Sequence, residues 1–407
     1  MSSVFQINPY VLIDKEDQRK LVNTVTGEKL LVGDKIIEIV QFLQNAKSEK
    51  EMLQKFPDIG EDLTGILDTL THKKYLIKNN AFDKAITAIK PYTPHLFNLP
   101  YLTESKAAKI TSKPVVFVGV PLGVGNRSNY SSSEFPNSLR AFSSKYNINL
   151  GPGAVLETEA LGGKERYIAL FELIKNKRLY DLGNVFFDSK ESPNFMYEKT
   201  YNLSKQLFDQ DKVTPFFIGG DHSVSAPVIK AAIEKYGDDL CVLHFDAHTD
   251  TYSSTYDKIK HHNEVHHHGN FMSKCFEFGL KHAYQFGIRG LVNFNQKSNE
   301  NQSIYWAHKL IEQIENEHTF EELPKDKKYY VTFDFDIIDP IYFKGTTTPV
   351  INGLSTSQCK QLILSTLKNK EIIGVDIVEL YVDAPEAEIN KQIACEIIFE
   401  LLNVIEK

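Results

Sequence analysis

The sequence predicts an α/β fold built on a parallel sheet flanked by helices, preceded by a small α+β unit. Three observations carry that expectation. From Pro114 onward, short apolar runs alternate with helical segments, and strands apolar on both faces belong in a parallel sheet covered by helices. Residues 1–80 follow another rhythm of short strand candidates and amphipathic helices. Carboxylates and histidines gather where the apolar runs end, the side on which open α/β sheets bind ligands.

In chain order, Val11-Leu12-Ile13, Lys20-Leu21-Val22 and Lys29-Leu30-Leu31 read as strands, with a turn over Asn23 to Gly27. Asp34 is placed to cap a helix whose apolar stripe is Ile36, Ile37, Ile39, Val40, Phe42 and Leu43. Ser48 with Glu51 forms a capping box for a second helix, and a third starts at Asp62 or Thr64. Tyr75-Leu76-Ile77 closes the unit as a strand, giving the outline of a small winged-helix domain over 1–80. Residues 81–113 hold Pro91, Pro94 and Pro100, which discourage continuous helix, and read as a linker. Residues 114–407 are then one catalytic domain with strands at Val115–Val118, Phe216–Ile218, Leu240–Leu243, Tyr330–Phe333 and Ile372–Val375.

Composition narrows the function. Lys plus Arg number 46 against 53 Asp plus Glu, a net charge of −7 without the basic excess of a nucleic-acid binder. Residues 1–80 carry 11 basic and 12 acidic side chains, so the winged-helix outline lacks a DNA footprint. No apolar stretch approaches the ~18 residues that span a bilayer. The opening MSSVFQINPY lacks the form of a secretion signal. The four cysteines, Cys241, Cys275, Cys359 and Cys395, are scattered without CxxC spacing, which argues against disulfides and a cysteine zinc site. A cytoplasmic enzyme is the expectation.

Four segments carry chemistry: Gly219-Gly220-Asp221-His222-Ser223, Asp246-Ala247-His248-Thr249-Asp250, Asp334-Phe335-Asp336, and Glu379 after Gly374 to Val378. In extended chain, alternate side chains share a face, so Asp246, His248 and Asp250 can converge, as can Asp334 and Asp336. Any one of these acids alone reads as a solvated helix cap. Together they would repel strongly unless a cation neutralised them. Two histidines among four aspartates suit Mn²⁺ better than a thiolate zinc or an all-oxygen calcium site. Six ligands exceed what one catalytic ion can use while keeping an open position, so two ions sharing carboxylates are expected, activating water between them. The residues thus predict a metal-dependent hydrolase.

At these residues the chain resembles the ureohydrolase superfamily of arginases and agmatinases. The matching segments are VGVPLGVGNR (118–127), GGDHS (219–223), HFDAHTDTY (244–252), HG (268–269), FGIRG (286–290), TFDFDIIDP (332–340) and Glu379. The resemblance covers about 114–407 and implies an arginase-like three-layer fold. It implies one Mn²⁺ held by His222, Asp246, Asp250 and Asp334, and a second by Asp246, His248, Asp334 and Asp336. It further implies His268 as the proton-transfer residue, with His266 and His267 competing for the role, and Glu379 as the carboxylate that holds a guanidinium, a group it can grip through paired hydrogen bonds. Asp250 counts among the catalytic residues as well as the ligands.

Two departures bear on the substrate. Arginases that take free arginine carry acids after the GIR-like motif to hold the α-ammonium, whereas this chain has Gly290, Leu291, Val292 and Asn293. Tyr252 follows the metal-binding segment, as in agmatinase-like sequences. The N-terminal unit also resembles the winged-helix domains that bind leader peptides in ribosomal-peptide maturation, where a peptide adds a strand to a β-edge. The expected function is hydrolysis of arginine side chains in a precursor peptide to ornithine and urea, with a small-molecule, agmatinase-like enzyme as the alternative. A single-metal deacetylase is disfavoured by His222 and Asp336, and a degenerate binding module by the complete ligand set. The superfamily implies a homo-oligomer. Arg289 is expected to pair with a buried acid. Asn126 and Arg127 either line the active-site mouth or follow a glycine turn, Tyr252 either contacts substrate or packs, and histidines 261–268 form a rim.

Overall fold

The computed structural model describes residues 3–8, 11–14, 19–23, 28–60, 62–78, 89–102, 113–126, 128–148, 154–187, 191–209, 211–252, 266–291, 296 and 298–405. The chain divides into two compact units, one of Met1–Ile89 with Phe186–Glu191 and the other of Lys90–Val185 with Ser192–Lys407.

Among its described residues the first unit holds two small antiparallel sheets and three α-helices. Strand β1 (Val4–Ile7) lies between β5 (Lys47–Ser48) and β6 (Leu76–Lys78), while β2 (Val11–Ile13), β3 (Lys20–Asn23) and β4 (Lys29–Leu31) form a meander. Strand β1 was not among the expected strands; its alternation is only four residues long, and Phe5 and Ile7 are its buried face. Helix α1 (Asp34–Phe42) turns Ile37, Ile39 and Val40 inward. Asp34 opens that helix instead of capping it: Gly33 is the N-cap and the Asp34 carboxylate pairs with Arg19 at 2.9 Å. The capping box of α2 (Glu49–Lys55) is present, with Ser48 N–H donating to Glu51 at 2.8 Å. Helix α3 (Asp62–His72) contributes Leu63, Leu67 and Leu70 to a core shared with Phe5, Leu21, Met52 and Tyr75. Most of the turn expected over 23–27 lies outside the described residues.

The second unit is built on a sheet ordered β13-β12-β11-β14-β15-β10-β8-β9, all parallel, with the two-residue β7 (Ile89–Lys90) next to β9. Its strands are β8 (Val115–Gly119), β9 (Leu179–Val185), β10 (Thr214–Ile218), β11 (Leu240–Phe245), β12 (His282–Ile288), β13 (Gln302–Trp306), β14 (Lys328–Asp334) and β15 (Glu371–Val378). Among the helices between them are α4 (Phe135–Ser143), α5 (Ile168–Lys175), α6 (Pro193–Asp209), α7 (Ser225–Tyr236), α8 (Phe271–Glu277), α9 (Ala307–Glu315), α10 (Thr356–Leu367) and α11 (Ala387–Ile405). The central strands are buried along their whole length, as two-sided helix cover requires.

Register then positions the site. Ile218 pairs with Ile377, Asp334 with Val378, and Phe245 with Phe333, so β10, β15, β14 and β11 end level with one another as neighbours. The four chemistry-bearing segments follow those four ends. Part of the expected linker belongs to this unit: Leu96 and Phe97 are buried in its core, and Leu96 N–H donates to Asp181 at 2.7 Å.

Candidate metal centre

The imidazole of His222 is oriented from behind. Its Nε2 lies 2.9 Å from Thr332 Oγ1, whose hydroxyl donates to Asp376 Oδ1 at 2.5 Å, and Tyr330 donates to Asp376 Oδ2 at 2.7 Å. A proton on Nε2 leaves Nδ1 with a lone pair. That atom is buried without a hydrogen-bond partner, yet it faces Asp246 at 3.1 Å, Asp334 at 3.1 Å and Asp250 at 3.2 Å. On the other side, His248 Nδ1 lies 2.9 Å from Asp336 and 3.4 Å from Asp246. The ligand atoms of Asp246, His248 and Asp336 fall within 4.8 Å of one another, as do those of His222, His244, Asp246 and Asp250. Asp246 is common to both groups.

Main-chain donors fix the carboxylates. Ala247 N–H donates to Asp336 at 2.9 Å, Asp336 N–H to Asp334 at 2.8 Å, and His248 N–H to Asp246. Asp250 adopts φ of 49°, a left-handed conformation a non-glycine residue holds only where its surroundings impose it.

The electrostatics ask for positive charge. Burial, then the charges of Asp336 and Asp246, push Asp334 well above the usual carboxylate range; burial and Asp246 also raise Asp336. Burial alone would lower His222, but the facing carboxylates of Asp246, Asp250 and Asp334 carry it well above its ordinary value. His248 is likewise raised against its burial, by Asp336 and Asp246. The surrounding carboxylates thus favour positive charge at this place, the electrostatic role that cations would fill. An orphaned buried nitrogen, an oxygen-rich donor set and excess buried negative charge all fit two hard-to-borderline divalent ions.

Beside this cluster, Glu379 follows β15 with φ of 65°. Its Oε1 accepts from His222 N–H at 2.7 Å and lies 3.5 Å from His268 Nδ1, while its Oε2 is buried without a partner. Burial would lower His268, but Glu379 lifts it to about 9. The three histidines of the tract separate cleanly. His267 Nδ1 accepts from Gly269 N–H at 3.0 Å as a helix cap, His266 stacks on Tyr197 with ring centroids 4.0 Å apart, and His268 faces Glu379. His261, His262, Arg127 and residues 253–265 lie outside the described residues.

A cavity of about 330 Å³ opens over the cluster, lined by His248, Asp250, Tyr252, His267, His268, Gly269, Asp334, Asp336 and Thr348. Tyr252 therefore lines the site. Two glycines of the neighbouring loops leave no room for larger residues: a Cβ at Gly125 would collide with Ser223 and Asp221, and one at Gly220 with the Leu122 carbonyl. Asn126 donates to Tyr381 at 2.7 Å and to Thr347 at 2.9 Å, tying that loop to the segment after Glu379.

Arg289 departs from expectation. It donates to main-chain carbonyls, Asp336 at 2.7 Å, Val350 at 2.8 Å and Gly287 at 3.1 Å, and forms no ion pair with a carboxylate among the described residues. A planar guanidinium can serve several carbonyls at once. Sequence reading also passed over Thr332, Asp376 and His244. Their one signal was a polar side chain inside an otherwise apolar strand.

Residues 113–403 match the family model described as Arginase family. An agmatinase of Chromobacterium violaceum is 31% identical over 263 residues, covering 62% of this chain and 76% of that protein. An agmatinase of Edwardsiella ictaluri is 26% identical over 259 residues, covering 62% and 81%. Among solved structures, a hypothetical agmatinase from Burkholderia thailandensis aligns with a TM-score of 0.61 at 24% identity, over 77% of this chain and 91% of that one. A formiminoglutamase of Trypanosoma cruzi, solved with Mn²⁺, aligns at 0.59 and 19%, over 76% and 97%. At these identities the solved structures speak to the fold.

Proposed function

Because the chain belongs to the arginase family, we propose that it hydrolyses the guanidino group of a small substrate lacking a free amino-acid head group, of the agmatine type, releasing urea and an amine. As a member it is a ureohydrolase, acting on C–N bonds of linear amidines. The carrying observation is the pairing of a cation-demanding cluster with one unsatisfied carboxylate oxygen, Glu379 Oε2, in the same buried site.

Two Mn²⁺ ions, one held by His222, Asp246, Asp250 and Asp334 and the other by Asp246, His248, Asp334 and Asp336, would supply a nucleophilic water at neutral pH. The protein's own groups do the rest. Glu379 accepts two guanidinium N–H bonds and fixes the plane of the reacting carbon over the cluster. Water adds to that carbon, the bond to the substituted nitrogen breaks, and His268 returns a proton to the departing amine. Thr348 and Tyr252 close the cavity sides. Leu291, fully exposed just after Gly290, gives no grip on an α-ammonium.

A second reading is arginine within a peptide, yielding ornithine and urea, and the N-terminal unit favours it. That unit leaves β2 and β4 as sheet edges and contains a hollow of about 590 Å³ lined by Glu28, Lys29, Leu30, His72, Lys73, Lys74 and Tyr75. An open edge beside a basic hollow suits an extended acidic peptide. The test is urea release from agmatine, arginine and arginine-containing peptides by the manganese-loaded protein. Agmatine turnover far above the others supports the first reading. Peptide turnover that collapses in the Lys29→Glu/Lys73→Glu variant, with agmatine turnover unchanged, replaces it with the second. No urea from any guanidine rejects both.

A further inference from the structure

The cluster has a third histidine, fully buried, that the metal-binding pattern does not use. His244 is the last but one residue of β11, two residues before Asp246, and its Nε2 lies 2.7 Å from Asp246 Oδ2, the same oxygen that faces His222. Proximity alone would allow His244 to be a further ligand. What decides between ligand and support is which nitrogen carries the proton.

The neighbouring strands answer that. Gln285 pairs with His244 across β12 and β11, and its Nε2 lies 2.7 Å from His244 Nδ1 and 2.8 Å from the Thr249 carbonyl. A carbonyl can only accept, so the Gln285 atom facing it is the amide nitrogen. Its oxygen in turn accepts from Gln302 Nε2 on β13. Both ends of the Gln285 amide are thereby assigned without ambiguity. Its second N–H points at His244 Nδ1, which must accept. A neutral His244 therefore carries its proton on Nε2 and donates it to Asp246, leaving no lone pair there for a cation.

We propose that His244 is a positioning residue that holds the shared carboxylate of Asp246, locked in its Nε2–H tautomer by a buried relay from Gln302 through Gln285. All of these side chains are buried, and Phe271 packs on two of the rings, stacked on His222 at 4.0 Å and edge-on to His244 at 5.1 Å. Such a polar chain across three apolar strands is costly unless every member is satisfied, which here also fixes direction. Outer partners of this kind orient ligands, and their loss commonly lowers metal affinity by about 10–100-fold. The inference rests on the cluster's role as a metal centre.

The test uses the full chain. Nitrogen-15 histidine spectra of the metal-free protein, with His244 assigned by its absence from His244→Gln, should show Nε2 protonated and Nδ1 bare. Mn²⁺ titration of Gln285→Leu should show affinity reduced about 10–100-fold. Melting curves recorded alongside separate this from loss of fold, since a merely structural glutamine would lower the Tm and leave affinity unchanged. That last result overturns the proposal, as does an Nδ1–H tautomer or a His244 nitrogen coupled to bound Mn²⁺ in spin-echo spectra. Where Gln285→Leu fails to fold, the two wild-type spectra decide alone. Wild-type protein that takes up no Mn²⁺ sinks the metal centre as well. Two bound ions with the wrong tautomer sink only the relay.

Discussion

Two acids in the site, Asp250 and Glu379, sit at positive φ, where side chains other than glycine, asparagine and aspartate rarely go. Each is held there by its neighbours: Asp250 O accepts from Met272 N–H at 3.1 Å, and Glu379 N–H donates to Gly220 at 2.9 Å. Glu379→Gln keeps the shape and removes the charge, so kcat/KM for the best guanidine should fall about 100-fold with Mn²⁺ content unchanged, read by urea assay beside metal analysis. His266 supplies a second prediction. Burial, then Lys274 and Lys230, hold it down to about 4, below its unfolded value. A depressed histidine favours folding fully above the unfolded pKa and loses that contribution as pH falls toward the folded one. His266→Phe, which keeps the stack on Tyr197, should therefore gain about 2 kcal/mol relative to wild type near pH 5 and little at pH 8, measured by urea unfolding.

At the scale of elements, the sequence carried the candidate ligands but not their supports. Asp246, His248, Asp334 and Asp336 were legible because polar residues at alternate positions beyond apolar runs stand out without knowledge of any partner. His244, Thr332, Gln285 and Asp376 act through strand register, His244 against Gln285 and Thr332 against Asp376, and register is set by the whole sheet. The same limit explains Asp34, whose pairing with Arg19 spans the meander, and β1, whose partners lie about 40 and 70 residues away in sequence. Arg140 shows how such distant pairs stabilise an element. From α4 it grips Asp181 on β9 with two bonds of 2.7 and 2.8 Å, both side chains fully buried. Asp181→Ala strands that guanidinium and should destabilise the protein by about 3–5 kcal/mol in chemical denaturation.

Taken whole, the chain joins an arginase-family hydrolase, its candidate site at the level ends of four adjacent strands, to an N-terminal unit with a core of its own. The fold class was legible throughout residues 114–407 because fully apolar strands separated by helices admit few architectures. The purpose of residues 1–89 was not, since edges and hollows declare a partner's shape more readily than its identity. Among the described residues no helix is long and apolar enough to cross a membrane.

The chemistry proposed for this site needs cations that share Asp246. Anomalous scattering from crystals grown with Mn²⁺, recorded either side of the manganese edge, measures that directly. It should show two peaks, one touching His222 Nδ1 and the other His248 Nδ1, with Asp246 between them. A single peak, or none, with those side chains in the same places, would contradict it.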